Sequence, residues 1–145
     1  MKCVLLFLCV CVLACASHKY AGVPEEYHVL LDQALVKAGG NRTELEKALQ
    51  NAPKSQKEGI AFLIAYMPER DLKELSADFL LENAAYAYKA REQFPWAKLV
   101  PDSVFLNDVL PYVSLNEKRE NWRKDFYERF SKYVVNCQTI FEAID

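Results

Sequence analysis

Six prolines divide this chain into short segments and restrict the secondary structure that each segment can adopt. Proline lacks a backbone N–H and has a fixed φ angle, so it is tolerated in the first turn of a helix but ends a helix that runs into it. Between the prolines, apolar residues recur at helical spacings of three and four. No segment shows the alternating pattern of a β-hairpin. The sequence therefore predicts an all-α fold of five to six short-to-medium helices in an irregular bundle.

Local signals indicate where these helices begin and end. Gly39-Gly40 ends the first helix, and Ser76 is placed to cap a longer one. The apolar run Ile60–Met67 fits either a buried strand or a buried helix, and its helical neighbours favour the helix. Thr139 and Glu142 have capping-box spacing and predict a further helix start. The six helices are predicted over residues 25–38, 43–52, 54–67, 77–93, 101–110 and 116–135.

Aromatic side chains form a stripe along the last of these helices. The stripe consists of Trp122, Phe126, Phe130 and Tyr133, at spacings of four, four and three. This spacing puts the four rings on one face of the helix. Such a face is more often core than a binding platform, so the pattern favours burial of the aromatic stripe.

The first sixteen residues have the composition of a secretory signal peptide. An apolar run, Cys3–Leu13, precedes Ala14-Cys15-Ala16, which fits the small residues of a cleavage site. A lipid anchor on Cys15 is the alternative, but Leu13 suits the segment before a lipidated cysteine poorly. We therefore predict a secreted chain with a signal peptide over 1–16, a flexible tail over 17–23 and a helical module over 24–145.

The net charge, the length of the apolar runs and the positions of cysteine and histidine argue against several classes of function. The net charge is −2, with 18 basic and 20 acidic residues, so a nucleic-acid partner is not expected. The apolar runs are too short for a membrane span. Cys137 is the only cysteine after residue 16, and His18 and His28 lie far from it in sequence. We predict no catalytic residue, metal site or cofactor, and a buried or structural role for Cys137.

Asn41 is a candidate glycosylation site. Asn41-Arg42-Thr43 has the acceptor pattern for N-glycosylation in an exported chain. Asn41 is also a good helix N-cap, and Glu44 follows at capping-box spacing. Both interpretations stay open.

Three sequence blocks resemble the helical region that precedes the catalytic core of transglutaminase-like proteins. They are LSADFLLENAAYAYKARE (75–92), PWAKLVPDSVFLNDVLPY (95–112) and SLNEKRENWRKDFYERF (114–130). The resemblance covers about half of the chain. It implies a papain-like partner core with a Cys-His-Asp triad, in cis or in trans. None of that triad maps onto a residue here, so we expect no enzyme activity from this chain alone.

The resemblance implies a non-catalytic helical module that packs on, or walls the substrate cleft of, such a core. The candidate interface residues are Trp96, Phe105, Asn107, Tyr112, Trp122 and Arg123. Asn107 either faces a cleft or caps a helix, whereas Arg123 binds a carboxylate, pins a neighbouring loop or forms an ordinary helix ion pair. The module would leave an apolar patch bare around its C-terminal helix. The alternative function is a self-sufficient secreted helical protein that binds a small apolar ligand or a protein partner.

Overall fold

The computed structural model describes residues 19–113 and 117–144, and this part of the chain is all-α. It is 74% helical, with eight α-helices and no strand among the described residues, so the predicted fold class is confirmed. The helices are α1 His28–Lys37, α2 Arg42–Asn51, α3 Lys57–Tyr66, α4 Glu69–Glu74, α5 Ala77–Gln93, α6 Asp102–Val104, α7 Trp122–Val134 and α8 Ile140–Ile144. A π-helical turn, Phe105–Val109, continues α6. The number of α-helices exceeds the predicted five to six because α4 and α8 are separate helices.

Most of the predicted helix ends are confirmed. Gly39 follows α1 with φ of +56°, a left-handed conformation that glycine adopts without strain. The Ser76 hydroxyl accepts a hydrogen bond from the Phe79 amide at 3.2 Å and caps α5. The apolar run beginning at Ile60 lies in α3, as a helix and not as a strand. Residues 117–121 are the exception, since α7 begins only at Trp122.

The core lies between the first five helices. α1 packs on α3 and α4, while α5 packs on α2, α3 and α7. The largest core side chains are at most 1% exposed and include Leu31, Leu35, Leu45, Ile60, Ile64, Leu80 and Leu110. Ala84 and Ala87 on α5 are also buried, which allows the close helix approach expected of small residues. Because α5 touches both the core and α7, it positions the C-terminal part of the chain.

The segment predicted as a flexible tail over 17–23 is packed in its described part, residues 19–23. Tyr20 and Val23 are each 8% exposed and belong to the core. The Tyr20 hydroxyl donates to the Asp32 carboxylate on α1 at 2.6 Å. The prediction of a flexible tail was wrong here because two large side chains of this segment are buried in the core. The predicted signal peptide, Cys15 and residues 17 and 18 lie outside the described residues.

No helix in the part of the chain that the structure describes combines the length and the apolar character needed to cross a bilayer.

Gly59 permits a close approach between α3 and α5, and its replacement by alanine is expected to destabilise the fold. A Cβ atom at Gly59 would lie 2.7 Å from the Tyr88 hydroxyl oxygen and 2.9 Å from Leu110 Cδ2. Overpacking of this kind costs about 1–3 kcal/mol, which exceeds the gain of about 1 kcal/mol in helix propensity. Chemical unfolding should show a net loss of stability for Gly59→Ala. Gly40→Ala is the control, because no atom lies within 4 Å of its Cβ position. A stabilised Gly59→Ala variant would contradict the packing described here.

Candidate functional site

Two of the six candidate interface residues lie in the core. Phe105 is 1% and Tyr112 is 4% exposed, so their prediction as interface residues was wrong. The Phe105 ring packs edge-on against Tyr88 at 4.9 Å between centroids. Phe105 also lies 4.4 Å beneath the Arg91 guanidinium. The sequence offers no signal at these two positions that separates a core aromatic side chain from an interface one.

Tyr112 belongs to a buried polar linkage around Asp71 of α4. The Asp71 carboxylate is 1% exposed and accepts a hydrogen bond from the Tyr112 hydroxyl at 2.9 Å. Arg119 donates to both oxygens of this carboxylate, each at 2.9 Å. Burial, followed by the hydrogen bond to Asp71, raises the pKa of the Tyr112 hydroxyl above its usual value. The linkage ties the segment before α7 to α4.

Arg123 pins the neighbouring loop, which is one of the three roles considered for it. Its Nε donates to the Asn83 side-chain oxygen on α5 at 2.8 Å. Its Nη2 donates to the carbonyl oxygens of Val109 and Pro111 at 2.7 and 2.9 Å. These carbonyls end the π-helical turn, where a cation is favourable. Burial lowers the pKa of Arg123 to about 10, so the guanidinium remains charged at neutral pH. It forms no ion pair with any described carboxylate.

Trp122 and Asn107 line one cleft together with Arg123. The Trp122 indole N–H donates to the Tyr112 carbonyl at 2.7 Å. Asn107 is exposed on the π-helical turn and donates to the Ser103 carbonyl at 2.8 Å. The cleft has a volume of about 820 Å³ and runs between this turn and the start of α7. We call it the α7 cleft. The structure therefore brings together three of the six candidates.

Trp96 lies apart from the α7 cleft. Its indole stacks on the Phe94 ring at 5.7 Å with the planes 2° apart. Phe94 in turn contacts the Tyr127 ring of α7 at 6.3 Å. Trp96 thus supports the contact between the end of α5 and α7. Its indole nitrogen is buried without a hydrogen-bond partner among the described residues.

Three of the four rings of the aromatic stripe are exposed and Trp122 is half-buried, so the prediction that the stripe is core was wrong. Phe126, Phe130 and Tyr133 are 54%, 50% and 69% exposed, and α7 has no buried residue. The helix packs on α5 through its other face. There, Tyr127 contacts Tyr86 at 5.4 Å, and Lys124 pairs with Glu82 at 3.7 Å. Periodicity showed that one face is aromatic, but it did not show which face meets a neighbour.

Three apolar residues of α8 are exposed as well. Ile140, Phe141 and Ile144 are 48%, 77% and 74% exposed. The predicted capping contact is present, because the Thr139 hydroxyl accepts from the Glu142 amide at 3.3 Å. α8 contacts α7. We refer to Phe126, Phe130, Tyr133, Ile140, Phe141 and Ile144 together as the bare face.

Asn41 and Glu44 do not form the predicted capping box. The Asn41 amide nitrogen donates to the carbonyls of Leu72 and Leu75 at 3.0 and 2.8 Å. Glu44 accepts from the Ala77 amide at 2.8 Å. The two side chains therefore clamp the end of α4 and the start of α5. The Asn41 nitrogen that a glycan would modify is engaged in two hydrogen bonds within the folded chain.

Replacing Asn41 by alanine is expected to lower the free energy of unfolding by about 1–3 kcal/mol, because two partly buried carbonyls lose their donor. Urea unfolding followed by circular dichroism measures this change. Asn51→Ala is the control, since Asn51 is exposed at the end of α2 and should change stability by less than about 0.5 kcal/mol. Equal effects of the two substitutions would show that the clamp contributes nothing.

Cys137 is half-buried. Of the two roles predicted for it, full burial is wrong and a structural role stays a prediction. Its thiol donates to the Glu142 carbonyl at 3.4 Å, near the start of α8. His28 lies on α1, where its ring nitrogen is 3.2 Å from the Val23 carbonyl oxygen. Residues 19–113 and 117–144 contain no group of three His, Cys, Asp or Glu side chains that could hold a metal ion.

Comparisons with known protein families, with curated proteins and with solved structures find no match to this chain.

Proposed function

We propose that this chain is a non-catalytic helical module that docks, through the bare face of α7 and α8, onto a papain-like core of the transglutaminase-like superfamily. The core belongs either to the same protein or to a separate chain. The single observation that carries the docking role is the exposure of six large apolar side chains on two consecutive helices. The identity of the partner is supported by the three sequence blocks that resemble the helical region of that superfamily.

The size of the bare face is adequate for a stable interface. At about 150–250 Å² per aromatic side chain, the exposed fractions of Phe126, Phe130, Tyr133 and Phe141 amount to roughly 500 Å². The two isoleucines add to this area, and each partner buries ~800 Å² in a stable complex. Contiguous apolar patches of a few hundred Å² on monomeric proteins often have a function, and the Phe126 and Phe130 rings of this face are in contact. The six side chains therefore fit an interface better than an ordinary surface.

One pair of opposite charges lies next to the stripe within α7. Arg129 donates to Asp125 at 2.8 Å, four residues earlier on the helix. The rings themselves contact one another, with centroids of Trp122 and Phe126 5.7 Å apart and those of Phe126 and Phe130 5.4 Å apart. The Lys132 ammonium lies 4.9 Å from the Tyr133 ring centroid, so a partner that covers Tyr133 has to accommodate this cation as well as the rings.

Residues of the resembling blocks hold α7 in place. Arg119 binds Asp71, Trp122 binds the Tyr112 carbonyl, and Arg123 binds the end of the π-helical turn. These side chains come from the N-E-x-R-x-x-W-R pattern of residues 116–123, whereas the carbonyls of Tyr112 and Pro111 come from the FLN-x-VLPY pattern of residues 105–112. In this view, the two elements act together to fix the direction in which α7 presents the stripe to its partner.

Binding to a separately expressed core tests this proposal. The probe is a papain-like core from a protein in which the same three blocks precede the Cys-His-Asp domain, titrated calorimetrically against the purified chain. Phe130→Glu combined with Phe141→Glu should weaken binding by about 30-fold or more, because each change removes an apolar contact at the interface centre. Val36→Glu is the control, since Val36 is exposed on α1, away from the bare face. Undetectable binding, or equal binding by all three proteins, would contradict the proposal.

A second apolar cleft favours the alternative of a small-ligand carrier. It has a volume of about 450 Å³, within the range of ligand sites, and is lined mainly by Phe62, Leu63, Tyr66, Met67, Tyr112 and Val113. This cleft is open to solvent. A carrier would show a saturable rise in melting temperature with a short-chain alcohol, and Tyr66→Asp would abolish that rise. The docking module would show neither effect.

A further inference from the structure

The core of the molecule is complete without α7 and α8. Among the described residues, every buried side chain lies between Tyr20 and Tyr112, and α7 and α8 contribute none. The side chains of the core cluster all come from residues 19–113, which we call the body of the molecule. Separation of α7 from α5 would therefore remove no side chain from this core.

The contact between α7 and the body is mainly polar and aromatic. The Tyr127 ring of α7 contacts Tyr86, and its hydroxyl donates to the Gln93 side-chain oxygen. The Lys89 ammonium lies 4.4 Å from the centroid of the Tyr127 ring. The Tyr86 hydroxyl donates to Glu128 at 3.5 Å. Water replaces most hydrogen bonds of this kind when the two sides separate, so their net contribution to stability is small.

Residues 129–144 extend beyond this contact. In the part of the chain that the structure describes, their hydrogen bonds, ion pairs and ring contacts stay within residues 122–144. We call residues 122–144 the arm. The hydrogen bonds and ring contacts that join the arm to the body therefore come from the first half of α7, residues 122–128.

Arg123 makes more hydrogen bonds to the body than any other residue of the arm. Its Nε donates to Asn83, and its Nη2 donates to the carbonyl oxygens of Val109 and Pro111. Hydrogen bonds from a charged donor are stronger than those between neutral groups. Burial lowers the pKa of Arg123, because attachment of the arm costs the guanidinium part of its hydration. Detachment restores that hydration and opens the carbonyls to water, which offsets part of the lost bonding.

Two exposed residues, Glu120 and Asn121, lie between Arg123 and a firmer attachment. That attachment is Arg119, which donates to both oxygens of the buried Asp71 carboxylate. The Asn121 side chain does not cap α7. Hinges are commonly a few residues in a loop or at the end of a helix that absorb a change in backbone angles. The chain can therefore turn at Glu120 and Asn121 while Arg119 stays bound.

We infer that the arm detaches from α5 as one unit, by turning at Glu120 and Asn121, while the body stays folded. Detachment breaks the hydrogen bonds of Trp122 and Arg123 to the body and uncovers the Tyr86 ring on α5. A helix of 13 residues is marginal in water on its own, so α7 loses helicity when it detaches. Binding segments are commonly drawn from such low-stability units. This inference concerns the free chain and does not depend on the partner proposed for the bare face.

Hydrogen exchange of the purified chain at several low urea concentrations tests the inference. The amides of residues 126–134 should share one opening equilibrium. They should exchange roughly 100-fold or more faster than the slowest amides of α1 and α3, which exchange only on global unfolding. Exchange of residues 126–134 should also depend less steeply on urea, because the slope scales with the surface that opening exposes.

Two substitutions separate detachment of the arm from unfolding of the whole chain. Ile64→Val removes a methyl group from a fully buried side chain of α3. It should speed exchange in α1 and α3 by about fivefold and leave residues 126–134 unchanged. Arg123→Ala should speed exchange of residues 126–134 by about tenfold. Arg129→Ala is the matched control, because Arg129 is exposed and pairs with Asp125 of the same helix, and it should change exchange by about twofold at most.

Three results would overturn the inference. The first is an equal effect of Ile64→Val on α7, α1 and α3, which would mean that α7 opens only when the whole chain unfolds. The second is exchange that slows steadily from Val134 back to Phe126, which indicates fraying of the helix end. The third is an equal effect of Arg123→Ala and Arg129→Ala, which would mean that Arg123 does not hold the arm.

Discussion

Replacing Asp71 by alanine is expected to lower the free energy of unfolding by about 1–3 kcal/mol, because the buried Tyr112 hydroxyl loses its acceptor. The substitution leaves the Arg119 guanidinium without its carboxylate and the Tyr112 hydroxyl without its acceptor. The position is 1% exposed, so water does not readily replace the lost contacts. Chemical unfolding followed by circular dichroism measures the change.

Asp78→Ala is the matched control for Asp71→Ala. The Asp78 side chain is 86% exposed and lies 3.7 Å from Lys47, so its loss should cost less than about 1 kcal/mol. Asp71→Asn retains an acceptor for Tyr112 and should fall between the two. Similar stability of the Asp71→Ala and Asp78→Ala variants would contradict the buried linkage between α4 and the segment before α7.

Phe105→Ala is expected to cost about 3–5 kcal/mol, the usual range for removing a buried phenylalanine and leaving a cavity. The ring is 1% exposed and packs against Tyr88 and Arg91. Phe141→Ala is the control, because this phenylalanine is 77% exposed on α8 and should change stability by less than about 0.5 kcal/mol. A larger effect at Phe141 than at Phe105 would reverse the assignment of core and surface.

Local signals in the sequence predicted the helices, because helix ends depend on neighbouring residues. Gly39 and Ser76 fulfilled the roles that their backbone and side-chain chemistry indicate. α4 was missed as a separate helix, since six residues between Pro68 and Ser76 carry too little periodicity to stand out. Its stability comes from side chains beyond it, notably the contact of Asp71 with Arg119.

Long-range contacts could not be predicted in the same way. Asn41 and Glu44 have a local capping pattern, yet they bind backbone groups more than thirty residues later. Asp71 and Arg119 are 48 residues apart, and no motif links them. Sequence spacing describes which residues share a helix face, whereas the choice of partner depends on how the helices are arranged in space.

The stripe illustrates the same limit for function. α7 has two faces that contain aromatic residues, and periodicity favoured burial of the one with four rings. The structure instead packs the face of Arg123 and Tyr127 on α5, where Arg123 donates to the Asn83 side-chain oxygen and Tyr127 contacts Tyr86. The sequence also predicted an apolar patch around the C-terminal helix. The exposed apolar side chains of α7 and α8 lie in that region.

Hydrogen–deuterium exchange of the chain, with and without the separately expressed papain-like core, locates the docking surface on the molecule. If α7 and α8 form that surface, amide exchange should slow in residues 122–144 and around the α7 cleft, while α1 and α2 remain unchanged. Unaltered exchange in 122–144 in the presence of a saturating core, or protection confined to α1–α4, would contradict docking through the bare face.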